Sequence, residues 1–279
     1  MTDLSSLLAH PGANDMAFEH PHLPGQAMLL RSARPVHCSA ETPVVFVHHG
    51  VQRNGDDYRD YWLPLVDEAD VLVIAPEFPA ASFPGSPWYN YGNRTDESGA
   101  ENPREKWTYG IDQIVFKMLR EQGMTRRSGY GLFGHSAGGQ FVHRMLSLGF
   151  RDHVQSAVSA NAGSYALADL TQNWPFGLAG TGLSEADLRA WLAFRLTVMA
   201  GTADSDPNGS NLPREPQSMA QGPHRYARAH HFVSAARATA ASLGERCGWT
   251  IIDVEGVAHD GCRMSAAAAP ILSAALHAS

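Results

Sequence analysis

The sequence predicts an α/β protein, with a mostly parallel central sheet, helices on both faces and long loops over the site end. Two observations carry this reading. Short runs of strand-forming residues alternate with longer stretches of helical period. Several of the short runs, Val44 to Val47 and Val71 to Ala75 among them, are continuously apolar, as strands buried on both faces tend to be. With 279 residues, 44% of them hydrophobic and 18% charged, the chain has ample material for a core. One domain over residues 1–279 is the simplest count.

Taken in order, residues 1–26 read as an N-terminal extension. Strands are expected at Met28 to Ser32, Val44 to His48, Val71 to Ala75, Ser128 to Phe133, Val154 to Ser159, Leu196 to Ala200 and Thr250 to Val254. Asp112 to Arg120 reads as a helix with Ile114, Val115, Met118 and Leu119 on one face. Arg225 to Leu243 places Ala229, Phe232, Val233, Ala236 and Ala240 on one stripe, a second amphipathic helix. A last helix from about Met264 to Leu276 should be weakened at its middle by Pro270. Three segments without a period, 77–107, 161–181 and 202–223, are rich in Gly, Pro, Asn and Asp and read as long loops. Loops of that length are commonly functional. The aromatics of the first two make them candidates to cover a site, with filling of satellite cores as the competing role.

Composition excludes several classes of function. A net charge of -7 and a pI near 6.0 argue against a nucleic-acid partner, which needs a basic face. No apolar run approaches the roughly 20 residues that a membrane-spanning helix requires. The N-terminus carries Asp3, without a basic region or an apolar stretch of signal length. Three cysteines, Cys38, Cys247 and Cys262, are an odd number at unrelated spacings and suit reduced thiols, although Cys247 and Cys262 could still pair. Together these features lead to the expectation of a cytoplasmic protein.

The sharpest motif is Gly134-His135-Ser136-Ala137-Gly138, which follows an apolar strand and precedes the helical stretch Gln140 to Leu148. A nucleophile elbow forces its serine into a strained turn between strand and helix, so the flanking residues must be small. A serine hydroxyl is a poor nucleophile, and needs a base that is itself oriented by a third group. Asp204 follows the strand ending at Ala200, and His259 follows the strand ending at Val254. The chain order Ser, Asp, His is that of α/β hydrolases, which makes Ser136 the candidate nucleophile, Asp204 the acid and His259 the base. Asp206 and Asp260 read instead as turn or capping residues. Donors for an oxyanion should follow the strand Val44 to Val47, where the backbone N–H of Val51 joins that of Ala137. His48 and His49 read as structural, bonding loop backbone. His135, Trp88, Tyr165 and Trp174 are the candidate substrate-binding residues. No H-E-x-x-H or paired Cys/His spacing and no G-x-G-x-x-G occurs, so neither a metal nor a cofactor is expected.

The segments HHGVQRNGDDY, LFGHSAGGQFVHR, VMAGTADSD and GVAHDG resemble, as a set, the α/β-hydrolase superfamily. Within it they resemble the polyhydroxybutyrate-depolymerase-like and related esterases, over roughly Val44 to Leu276. The resemblance implies an esterase-type mechanism and an eight-stranded sheet. The expected function is hydrolysis of a small-molecule or oligomeric carboxylic ester through an acyl-serine intermediate. An amidase or peptidase, or an acyltransferase, would use the same triad, and a non-catalytic binding module is the alternative of a different class.

Overall fold

A computed structural model describes residues 2–278 of the chain. The strands are β1 (Gly12–Glu19), β2 (Ala27–Arg34), β3 (Val44–His48), β4 (Leu72–Glu77), β5 (Tyr130–His135), β6 (Val154–Ala160), β7 (Leu196–Gly201) and β8 (Thr250–Val254). The helices are α1 (Gly55–Trp62), α2 (Val66–Ala69), α3 (Gly85–Trp88), α4 (Ile111–Glu121), α5 (Ala137–Ser147), α6 (Glu185–Ala193), α7 (Pro216–Ala220), α8 (Arg225–Ser242) and α9 (Gly261–His277). All eight strands form one sheet in the order β1-β2-β4-β3-β5-β6-β7-β8. The β1–β2 and β2–β4 pairs are antiparallel, and the pairs from β4 through β8 are parallel.

Side chains on β3 show why the strands read as continuous apolar runs. Val44 and Phe46 join one core while Val45 and Val47 join the other. Helices α1 and α9 pack on the Val45 face, and α5 and α8 on the opposite one. Both faces are covered, so alternation of apolar with polar residues is lost.

The segment read as an extension, residues 1–26, instead supplies β1, an edge strand of the sheet. Its inward positions are Asn14, Met16 and Phe18. Asn14 breaks the apolar pattern because its side chain turns back to bond the carbonyls of His10 and Gly12. The period of two is thereby hidden in the sequence. Helix α9 runs unbroken through Pro270. Met264, Ala268, Ala269, Leu272 and Leu276 hold it in the core, which offsets the hydrogen bond lost at the proline. The three cysteines are free. Among the described residues no helix is long and apolar enough to cross a membrane.

The first two long loops are pinned onto α5, whose residues are all buried. Arg144 on that helix donates to Gln140 Oε1 at 2.6 Å and, at 3.3 Å, to Ser164 Oγ and the Pro175 carbonyl. Asn90 Nδ2 donates to the same Gln140 oxygen at 3.0 Å. A polar helix face that would otherwise be solvated is thus sealed by loops 77–107 and 161–181, with its polar groups paired.

Candidate active site

The strand-to-helix turn at Ser136 has the strain expected of an elbow. Ser136 holds φ +59° and ψ −117°, a conformation side-chain-bearing residues rarely adopt. The flanking glycines are required by close approach: a Cβ at Gly134 would fall 2.2 Å from the Gly138 carbonyl oxygen, and one at Gly138 would fall 2.1 Å from that of His48. Strand β3, strand β5 and helix α5 meet here with no room for a methyl group.

Two later strand ends bring the other candidates to this turn. His259 Nε2 lies 3.0 Å from Ser136 Oγ, and His259 Nδ1 lies 2.7 Å from Asp204 Oδ2. Asp204 is 5% exposed and Ser136 is 9% exposed, so the chain of hydrogen bonds runs from a buried carboxylate to a serine at the cleft floor. Asp206 is turned away: its Oδ1 accepts the Asn208 N–H at 2.8 Å, closing a turn. Asp260 caps α9 by accepting the Arg263 N–H at 3.0 Å.

Ala137 is the first residue of α5, so its N–H has no partner within the helix and lies in the favourable field of the N-terminus. Val51 lines the cleft. The preceding peptide is held by its carbonyl: Gly50 O accepts from His49 Nδ1 at 2.9 Å and from the Arg53 N–H at 3.2 Å. A trans peptide points its N–H opposite to its C=O, so fixing Gly50 O turns the Val51 N–H to the other side. His49 Nε2 accepts the Phe78 N–H at 3.1 Å, which leaves Nδ1 as the protonated nitrogen. His48 pairs with Asp112 at 2.9 Å, both fully buried, and stacks on Phe141. His49 bonds loop backbone as expected, whereas His48 bonds the Asp112 carboxylate of α4 instead.

The cleft at Ser136 has a volume of about 240 Å³. Its walls are Val51, Gln52 and Asn54 from the loop after β3, Tyr61 from α1, and Ser210 and Asn211 from the loop after β7. His135 also lines it, with Nδ1 2.7 Å from Tyr58 Oη and its ring 4.6 Å from that of His259. The other substrate-binding candidates lie elsewhere. Tyr165 is fully buried and stacks on Phe232, while Trp88 and Trp174 line two separate surface depressions. Their loops cover α5, so the aromatics fill the core on that side and do not form the cleft. Sequence reading missed the polar wall and Tyr58. Tyr58 sits in the quoted segment after β3, but its hydroxyl reaches His135, 77 positions away, a contact no local pattern shows.

Burial sets the charge state of four histidines, His20, His49, His135 and His143. It pushes His49 down to about 3 and His20 down to about 4, and it holds His135 and His143 well below the ordinary range. An unfolded histidine gains its proton below about pH 6.5. These four stay neutral in the fold, so the unfolded state alone binds protons as pH falls from there towards 4. Each such residue costs about 1.4 kcal/mol per pH unit in that window. At pH 5.5 the unfolded state has gained protons on these rings while the fold has not, so stability is lower there than at pH 7.5. The urea midpoint should therefore fall steeply between pH 7.5 and pH 5.5. An unchanged midpoint would show that these rings are not buried neutral.

Eight strands in this order, with a serine on a strained strand-to-helix turn and a histidine after the last strand, define an α/β hydrolase. No family model matches the chain, and a search of curated proteins finds no match. Solved structures do match. The poly(3-hydroxybutyrate) depolymerase LpqC of Bordetella parapertussis is 38% identical with a TM-score of 0.91, over 95% of this chain and 90% of that one. Poly(aspartic acid) hydrolase-1 of Sphingomonas sp. KT-1 is 36% identical with a TM-score of 0.90, over 94% and 99%. An S-formylglutathione hydrolase of Agrobacterium tumefaciens, 16% identical over 95% of each chain with a TM-score of 0.59, shares the fold. The chain belongs to the α/β-hydrolase superfamily, in the branch that holds these two polymer hydrolases, and is an enzyme of the hydrolase class.

Proposed function

We propose that the enzyme cleaves a carboxylic ester by way of an acyl-Ser136 intermediate. The observation that carries the reading is the continuous chain Asp204–His259–Ser136, with links of 2.7 and 3.0 Å. His259 Nε2 takes the Ser136 proton as Oγ attacks the ester carbonyl. The oxyanion accepts hydrogen bonds from the backbone N–H groups of Val51 and Ala137. Collapse of the tetrahedral adduct expels the alkoxide, which takes the proton from His259 and leaves as the alcohol. Water then gives a proton to His259 and attacks the acyl group, and the second collapse returns the proton to Ser136 as the acid departs. Asp204 accepts from Nδ1–H throughout, fixing the tautomer and stabilising the imidazolium.

The cleft argues for the kind of ester. Among the described residues lining it, Gln52, Asn54, Tyr61, Ser210 and Asn211 offer amides and hydroxyls, and none carries a formal charge apart from a protonated histidine. Such walls suit a short, uncharged acyl group or the carbonyl-rich backbone of an oligomeric ester, better than a long alkyl chain or a polyanion. Amide hydrolysis is the second reading, favoured by the 36% identity to a hydrolase of poly(aspartic acid). A panel of p-nitrophenyl esters from acetate to octanoate, beside the matching p-nitroanilides, separates the two. Turnover should be highest on the short esters, fall with acyl length and be much slower on the anilides. Anilide turnover equal to that of the esters would reject the ester reading.

A further inference from the structure

We infer that Arg225 is a positioning residue that orients the Asp204 carboxylate toward His259, an inference resting on Asp204 as the triad acid. Arg225 is the first residue of α8, and its side chain is 2% exposed. One end, Nη1, lies 3.6 Å from Asp204 Oδ1. The other, Nη2, donates to the Ser210 carbonyl at 2.7 Å. Gly209 lies against the same group, since a Cβ there would fall 3.2 Å from Nη1. The main chain of Asp204 is tied to the same helix end, where its carbonyl accepts the Tyr226 N–H at 3.1 Å. Asp204 therefore has its backbone fixed by α8, one carboxylate oxygen beside Arg225 and the other on His259 Nδ1.

Burying a guanidinium costs more than burying an apolar side chain of the same size, so packing alone does not call for a charge here. Orientation does. A carboxylate with a cation on Oδ1 cannot rotate without leaving that cation unpaired, so Oδ2 stays on the imidazole. The Ser210 carbonyl holds the guanidinium in place from the opposite side. Small errors in such alignment can cost about 10²-fold in rate.

Arg225→Gln removes the charge and keeps a donor, whereas Arg225→Lys keeps the charge without the fork. With p-nitrophenyl acetate, the Gln variant should lose about 10- to 100-fold in kcat with KM nearly unchanged, and the Lys variant should recover most of that loss. The acid limb of kcat/KM should also move to higher pH in the Gln variant, since a cation behind Asp204 is gone. His135, whose ring lies 4.6 Å from that of His259, is the same in every variant. A merely structural arginine would lower activity without this split, rescue or shift. Folded Lys and Gln variants with equal kcat, or an unmoved limb, would overturn the inference. Should the Gln variant lose its cooperative thermal transition, the Lys protein decides: near-parent kcat supports the inference and a loss as large as 10-fold overturns it. Asp204→Asn measured in parallel separates the two levels. If it keeps parent kcat the triad reading has failed, whereas a crippled Asp204→Asn beside a parent-like Arg225→Gln rejects the role of Arg225 alone.

Discussion

Ser136→Ala should abolish ester turnover, with a loss in kcat on the order of 10⁶-fold of the kind seen when a triad nucleophile is removed. The substitution deletes the hydroxyl proposed to attack and removes no other side chain of the site. Ser136 Oγ has His259 Nε2 as its hydrogen-bonding partner, and the residue sits at φ +59°. The thermal midpoint should therefore change little, because almost no buried volume is lost. Loss of activity with loss of fold would leave the assignment unsupported, so the midpoint is measured on the same preparation. Near-parent turnover in a folded Ser136→Ala protein would remove the serine from the mechanism.

Asp204→Asn should reduce kcat by about 10⁴-fold, the scale found when a triad carboxylate is replaced by its amide. The asparagine can present its NH₂ to His259 Nδ1, which favours the tautomer with the proton on Nε2, where it cannot accept from Ser136. Asp206→Asn should leave kcat near the parent value, since Asp206 serves the turn to Asn208 and faces solvent. The two residues stand two positions apart in the same loop, so the pair of variants tests placement as well as chemistry. A crippled Asp206→Asn beside an active Asp204→Asn would exchange their roles.

Much of this arrangement is legible in the sequence, for a physical reason. Strands buried on both faces are written as uninterrupted apolar runs, and β3 is read to the residue. The elbow is legible because close packing leaves glycine as the only residue that fits on either side of Ser136. Asp204 and His259 are singled out because chain order and strand ends restrict where the proposed acid and base can sit. Edge strand β1 is lost because one of its inward positions holds Asn14. The polar cleft wall is lost for a different reason. Aromatic residues in long loops look like a pocket, but α5 needs those loops to pair Arg144 and Gln140, and the exposed amides and hydroxyls near Ser136 look like ordinary surface. Arg225 and Tyr58 make their contacts with Asp204 and His135 across long separations in sequence, where periodicity carries no information.

Mapping the site of covalent modification by a fluorophosphonate tests the central claim most directly, because the reagent phosphonylates a serine only where a base activates it and donors hold the oxyanion. Intact mass should show one adduct per chain, formed in step with loss of esterase activity, and peptide mapping should put it on Ser136. An adduct on another residue, or full inactivation with Ser136 unmodified, would contradict the mechanism proposed for this enzyme.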